Sequence, residues 1–181
     1  MGVFPRPARV AYIGLGANLG DRLGNMRRAA SLLEGGSGLE LTGRSSLYET
    51  APLGPKGQPS YYNGVLRVET RLSAWELWGR LQEVERVLGR RRTARWGART
   101  MDCDLLLLAR SMIACEGLTV PHPELTRRPF VLVPLLELAP GLRHPLTGLP
   151  LRAWLHQAGG DGASRGGTRL QDVRLMEGLR W

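Results

Sequence analysis

Arg95-Trp96-Gly97-Ala98-Arg99-Thr100-Met101-Asp102-Cys103-Asp104 leads directly into Leu105-Leu106-Leu107-Leu108. An apolar run of that length behind turn-forming residues reads as a buried strand, although periodicity alone leaves a helix open. Side chains alternate along a strand, so Asp102 and Asp104 share one face and Cys103 takes the other. Just upstream, Arg90-Arg91-Arg92 crowds guanidinium groups close to that acidic pair. Carboxylate oxygens hold a hard cation such as Mg²⁺ and Arg forks grip phosphate oxygens, so the juxtaposition suits a phosphate together with a divalent ion. A lone Asp-x-Asp is nevertheless a weak signal, and surface aspartates neutralised by neighbouring arginines explain the same text.

The chain of 181 residues implies one domain, long enough to bury a substantial core. A hydrophobic content of 43% and a charged content of 23% are ordinary for a globular protein. The formal net charge of +9, nearly all of it from Arg, attracts polyanions: nucleic acid, an anionic membrane or phosphorylated small molecules. No apolar run approaches the ~20 residues of a membrane span, and Met1 to Pro7 lacks the apolar region of a secretory signal. Arg6 stands where a myristoylation signal has Ser or Thr. A soluble cytoplasmic protein without membrane association is expected. Cys103 and Cys115, each inside an apolar segment, read as reduced core residues, and two cysteines without matching histidines make a poor zinc site.

Outward from the acidic stretch, Val10 to Ile13 reads as a first strand. It is followed by Gly14-Leu15-Gly16-Ala17-Asn18-Leu19-Gly20-Asp21, taken as a tight turn because the spacing fits neither a dinucleotide loop nor a P-loop. Asn18 or Asp21 is placed to cap a helix carrying Leu23, Met26, Ala30 and Leu33, which Gly35-Gly36-Ser37-Gly38 ends. Leu39 to Thr50 reads as a second strand and Tyr61 to Thr70 as a third. The Pro- and Gly-rich connection between them, residues 51–59, is longer than a hairpin needs, and binding residues often sit on such loops. Tyr61 and Asn63, two apart, suit a flat heterocycle on one side; equally, Tyr61 caps the core. Ser73 with Glu76 forms a capping box for a helix to Leu88 with Leu77, Leu81 and Val84 at helical spacing. Gly89 stops it, and residues 90–97 form a second irregular loop whose like charges repel until an anion arrives. Beyond the Asp102 strand, Ser111 to Glu116 reads as a hairpin return and Leu118 to Pro123 as extended or turned. Val131 to Leu138 reads as a short helix kinked at Pro134, and Leu151 to Ala158 as one more. His122 by itself is a turn residue more often than a catalyst. Gly159 to Thr168 is expected to be flexible, and Asp172 to Trp181 either packs back as a strand or stays loose.

Taken together, several stretches in this order resemble the 6-hydroxymethyl-7,8-dihydropterin pyrophosphokinase family. They are Tyr12-Ile13-Gly14-Leu15-Gly16-Ala17-Asn18-Leu19-Gly20, Ser46 to Thr50 with Pro52 to Pro55 and Gln58-Pro59, and Tyr61-Tyr62-Asn63. Gly89 to Arg92 with Arg95-Trp96-Gly97, Asp102-Cys103-Asp104, and Leu118 to Pro123 through Arg128 and Phe130 to Leu135 complete the set. The likeness extends to about Pro140. It implies an α+β fold, a ferredoxin-like antiparallel sheet with helices packed on it and two long active-site loops. A single pyrophosphokinase domain would then span 8–158, with 1–7 as an N-terminal extension and 159–181 as a Gly-rich tail. The implied reaction moves a pyrophosphoryl group from ATP to the pterin hydroxymethyl oxygen, releasing AMP, in folate biosynthesis. By similarity, Asp102 and Asp104 hold two Mg²⁺ ions. Thr50, Leu53 and Asn63 bind the pterin edge, with Tyr61 and Phe130 on its faces. Gln82, Glu85, Leu105, Thr119, His122 and Arg128 belong to the ATP site; Arg90, Arg92 and Arg99 handle phosphates, and Trp96 helps the loop close. The expected partners are the two small-molecule substrates alone, on a monomer.

The likeness has gaps. Ala98 stands where the family commonly has Pro, which loosens the loop without removing a charge. Gly117 stands where some members place an arginine near the nucleotide, and Ala51 and Pro123 are further departures at the margins of the two sites. The tail after Gly159 matches weakly. The competing class is a basic nucleic-acid-binding module, supported by the net charge. Against it, the basic groups converge on two carboxylates, and neither an RNA-recognition signature nor zinc-finger spacing is present.

Overall fold

Strand β1 (Arg9–Ala17) runs through the middle of the molecule, and what flanks it sets the architecture. The computed structural model describes residues 6–53, 55, 57–90, 97–158 and 170–181. In chain order β1 is followed by α1 (Arg22–Glu34), β2 (Leu39–Arg44), β3 (Tyr48–Thr50), β4 (Tyr61–Thr70), α2 (Ala74–Val87) and β5 (Asp102–Leu108). Then come β6 (Ile113–Cys115), β7 (Leu118–Val120), α3 (Pro129–Leu138), α4 (Arg152–Ala158) and β8 (Arg174–Leu175). The main sheet has the order β5-β1-β4-β3-β8, with β2 also paired to β4, while β6 and β7 form a separate hairpin. Every pairing is antiparallel. Two β-α-β halves interleaved around β1 and β4 make this the ferredoxin-like α+β arrangement.

Alternation along β1 divides the core between two layers. Ala11, Ile13, Leu15 and Ala17 face α1 and α2, meeting Met26, Leu33, Leu77, Leu81 and Val84. Tyr12 points the other way, into a second cluster with Leu132, Leu135 and Leu151. Each fully buried Leu, Ile or Met stabilises the fold by ~1.5–3 kcal/mol before chain entropy is counted. The β1–β5 register slips between Tyr12 and Ile13: Tyr12 pairs with Leu107 but Ile13 with Leu105. Leu106 is thus the extra residue of a β-bulge, and Leu106 and Leu107 both face the second layer. The bulge leaves Asp102, Cys103 and Asp104 in plain alternation, and Cys103 lies in the first-layer core as the sequence suggests.

Several local expectations are refined. Gly14 and Gly16 belong to β1 and make no turn. A Cβ on Gly14 would lie 3.3 Å from Leu106, and one on Gly16 would lie 3.3 Å from the Asn63 Oδ1 atom, so both are places of close approach. Asp21, not Asn18, caps α1 by accepting from the Gly24 N–H at 2.9 Å. The Ser73/Glu76 capping box of α2 forms as expected. The single strand expected over Leu39 to Thr50 is two. Ser45 breaks it by exchanging hydrogen bonds with Val65 through both its backbone N–H and its hydroxyl, and Leu47 turns into the core. Cys115 is exposed and is therefore no core residue, because its three-residue strand pairs only with β7.

The C-terminal segment packs back. β8 pairs with β3, and the Trp181 indole, 7% exposed, lies in the first-layer core and donates to the Ser45 carbonyl at 2.9 Å. Among the described residues, no helix is long and apolar enough to cross a membrane.

Candidate active site

Two cavities meet over the start of β5. The larger, about 670 Å³, is walled by Trp78 and Gln82 of α2, Leu105 of β5, and Leu118, Thr119 and His122 around β7. The smaller, about 280 Å³, lies between β1, β3, β4 and α3, with Thr50, Leu53, Tyr61, Asn63 and Phe130 in its walls. Arg99, Asp102, Asp104 and His122 line both. The alternation read from the sequence therefore aims both aspartates at the neck between the compartments.

Each carboxylate at the neck faces cations, but differently. Asp102 accepts closely from two arginines, Oδ1 with Arg90 at 2.9 Å and Oδ2 with Arg99 at 2.6 Å. Asp104 has only looser neighbours on Oδ2, Arg128 at 3.7 Å and His122 at 3.8 Å. Its environment of protein groups raises its pKa to about 6, first through lost solvation and then through the Asp102 charge, against the pull of Arg128 and Arg90. The imidazole of His122 is pushed down to about 4, by burial and by Arg128, so it is neutral near pH 7 and makes no ion pair with Asp104. Its Nδ1 accepts from the Glu124 N–H at 3.1 Å, which puts the ring proton on Nε2, toward the neck.

Glu85 lies beneath the floor. Its side chain is 4% exposed, and its Oε1 accepts from the Cys103 N–H at 2.8 Å and from Arg90. Burial pushes its pKa up, opposed by those two donors. Although Glu85 lines the larger cavity, its bonding capacity is turned to strand β5 and to Arg90. Arg128, expected with the nucleotide, lines the smaller cavity. Arg92 and Trp96 lie outside the described residues.

The polar edge of the smaller cavity is one hydrogen-bonded pair: Asn63 Nδ2 donates to Thr50 Oγ1 at 2.8 Å, and both side chains are buried. Tyr61 donates its hydroxyl to the Gly97 carbonyl at 3.3 Å. Asn18, which sequence reasoning offered only as a cap, closes the floor between two loops. Its Oδ1 accepts from the Arg99 N–H at 2.7 Å, and its Nδ2 reaches the Pro59 carbonyl at 3.2 Å and Gln58 at 3.3 Å. It is 1% exposed, and nothing local in the sequence signals these partners, which lie 40, 41 and 81 residues away. Trp78 was also missed, because a half-buried aromatic on an amphipathic helix reads as core.

A model of the 7,8-dihydro-6-hydroxymethylpterin-pyrophosphokinase (HPPK) family matches residues 12–140. The chain belongs to this family. It is 40% identical over 157 residues to the 2-amino-4-hydroxy-6-hydroxymethyldihydropteridine pyrophosphokinase of Bacillus subtilis, covering 84% of this chain and 94% of that one. Against the Haemophilus influenzae protein of the same name, identity is 43% over 135 residues, covering 75% and 84%. A solved Plasmodium falciparum HPPK-DHPS structure superposes with a TM-score of 0.71 at 13% identity, over 93% of this chain and 47% of that one, a likeness of fold. The HPPK match begins inside β1 and ends just past α3, so it takes in both cavities and their neck.

Proposed function

We propose that this chain transfers a pyrophosphoryl group from ATP to the hydroxymethyl oxygen of 6-hydroxymethyl-7,8-dihydropterin, releasing AMP, as a step of folate biosynthesis. The observation that carries this reading is the pair of unequal cavities sharing Asp102, Asp104, Arg99 and His122 at their neck. A compartment of about 280 Å³ with aromatic walls and an amide-hydroxyl edge suits a flat bicyclic ring. The larger one, rimmed by Arg86, Arg90 and Arg99, suits a nucleoside triphosphate.

In this reading Thr50, Leu53 and Asn63 take the pterin edge and Tyr61 and Phe130 its faces. Gln82, Leu105, Thr119 and His122 serve ATP, and Arg90, Arg92 and Arg99 grip phosphates, with Trp96 closing the loop. Arg128 contributes at the neck, beside Asp104. Glu85 serves indirectly, by holding Arg90 and the Cys103 backbone. The working unit in this reading is a monomer.

The donor set at the neck fits Mg²⁺, of which we propose two ions. Among the described residues no cluster of three or more His, Cys, Asp or Glu could hold an ion alone. Mg²⁺ is typically held by one or two carboxylates, with water and substrate phosphates completing its shell, so Asp102 and Asp104 suffice. The poorly compensated charge of Asp104 also favours a cation there. When bound, such ions neutralise charge that develops along the polyphosphate. The residues supply position and charge. Asp102 becomes available as Arg90 and Arg99 exchange its oxygens for phosphate oxygens. Neutral His122 donates from Nε2, and the aromatic walls fix the acceptor facing the neck. Phosphoryl-type transfer asks little more of a protein than this alignment.

Incubation with ATP, Mg²⁺ and the reduced hydroxymethylpterin is expected to yield AMP and the pterin diphosphate in equal amounts. ADP as the nucleotide product would reject pyrophosphoryl transfer.

A further inference from the structure

The strand that carries Thr50 is only three residues long, and a strand so short is poorly held by its own ladder. Three separate parts of the chain converge on Glu49, the residue beside Thr50. Its Oε1 accepts from the Ser60 hydroxyl at 2.6 Å and from Arg22, at the start of α1, at 3.1 Å. Its Oε2 accepts from Arg174 of β8 at 2.8 Å. Arg22 also donates to the Ser60 carbonyl at 2.8 Å and lies 3.9 Å from the Tyr62 ring centroid. Donation from Ser60, and then from Arg22 and Arg174, holds the Glu49 carboxyl below its ordinary range, so it is charged at neutral pH.

The C-terminal segment completes the arrangement from outside. Beyond the Arg174 pair, the Met176 N–H donates to the Leu47 carbonyl at 2.9 Å, and Trp181 is seated against Gly64 of β4. Residues 47–50 are thereby gripped on one edge by β4 and on the other by residues 174–176. Ser60 immediately precedes Tyr61, so the same carboxylate sits one residue from two walls of the smaller cavity, on the opposite face of the sheet.

We propose that Glu49 is a positioning residue for pterin binding, and that residues 174–181 act as the brace that holds it and the Thr50–Asn63 edge in register. This rests on the function proposed above. The brace touches no substrate and lies behind the smaller cavity only, so its loss misplaces Thr50 and Tyr61 while leaving the nucleotide compartment unchanged.

Steady-state kinetics on Glu49→Ala, Glu49→Gln and Arg174→Ala, with thermal melting of each, test the proposal. Glu49→Ala removes acceptors from three donors and is expected to raise the KM for the pterin about tenfold, with the KM for ATP and kcat at saturation within about twofold. Glu49→Gln keeps an oxygen for the Ser60 hydroxyl and is expected to recover most of that loss. Arg174, 71% exposed, contributes less, and its loss is expected to raise the pterin KM about two- to threefold. Equal increases in both KM values, or a pterin KM for Glu49→Ala within twofold of the parent, would overturn the brace. Direct titration of the parent with pterin separates the two readings: a parent that binds no pterin and releases no AMP overturns the proposed function itself.

Discussion

Asp102 and Asp104 stand two residues apart on one strand face, yet they are built for different parts. Asp102 is already neutralised by two close guanidinium groups, whereas Asp104 carries a charge that its surroundings tolerate poorly. Asn at either position preserves shape and removes the charge. Each substitution is expected to raise the barrier by ~3 kcal/mol or more, a loss of at least about 100-fold in kcat. AMP release under saturating substrates measures it, and unchanged turnover in either variant would remove that residue from the chemistry. His122 makes a stability prediction. Its ordinary pKa of 6.5 falls to about 4 in the fold, so the unfolded chain binds more protons between those values. The stability that depends on neutral His122 is therefore present above pH 6.5 and is lost as the pH falls toward 4. Its size is about 2–3 kcal/mol, because the side chain is mostly shielded from water. Asp104 and Glu85, with raised pKa values, act in the opposite direction, so denaturant melts should compare His122→Asn with the parent. As the pH falls from 6.5 to 4 the variant is expected to gain stability relative to the parent; a difference that stays constant over that range would mean the imidazole titrates in the fold as it does in the unfolded chain.

At the scale of elements, the strands that wall the smaller cavity are packed from behind by the C-terminal segment. A Cβ on Gly64 would come within 2.4 Å of the Trp181 ring, a distance real contacts do not reach. Gly64→Ala must unseat the indole, at a cost of about 1–3 kcal/mol for overpacking, and it frees the Ser45 carbonyl that Trp181 caps. Urea unfolding followed by tryptophan fluorescence reads both effects. A variant as stable as the parent would show that the indole can sit elsewhere. Helix α2 was legible in detail because its signals are local: a capping box at one end and apolar residues three and four apart. The broken strand before Thr50 was not, since its break is made by Val65 and Trp181, 20 and 136 residues from Ser45.

Across the whole molecule, the two cavities have separate far walls and a common neck. Tyr61→Ala, which opens one wall of the smaller cavity, is expected to weaken pterin binding about tenfold and to leave nucleotide affinity nearly intact. Titration with each ligand in turn tests this, and equal losses would assign the tyrosine to folding. The alternation that aims both aspartates one way and the succession of motifs marking the HPPK family are determined by residues near one another in sequence, and the ferredoxin-like arrangement was implied by that family resemblance. Periodicity and capping are properties of short stretches, and a motif order survives without any contact being known. Tertiary structure alone decided the rest. Asn18, one of two candidate caps, is a clamp between loops; Cys115, expected in the core, is exposed; and the C-terminal segment, left open between packing back and staying loose, bonds Glu49 and seats Trp181 in the core. In each case the deciding partner lies on another element, and hydrogen bonds and close packing act through space at distances of a few ångströms, regardless of how much chain separates the atoms.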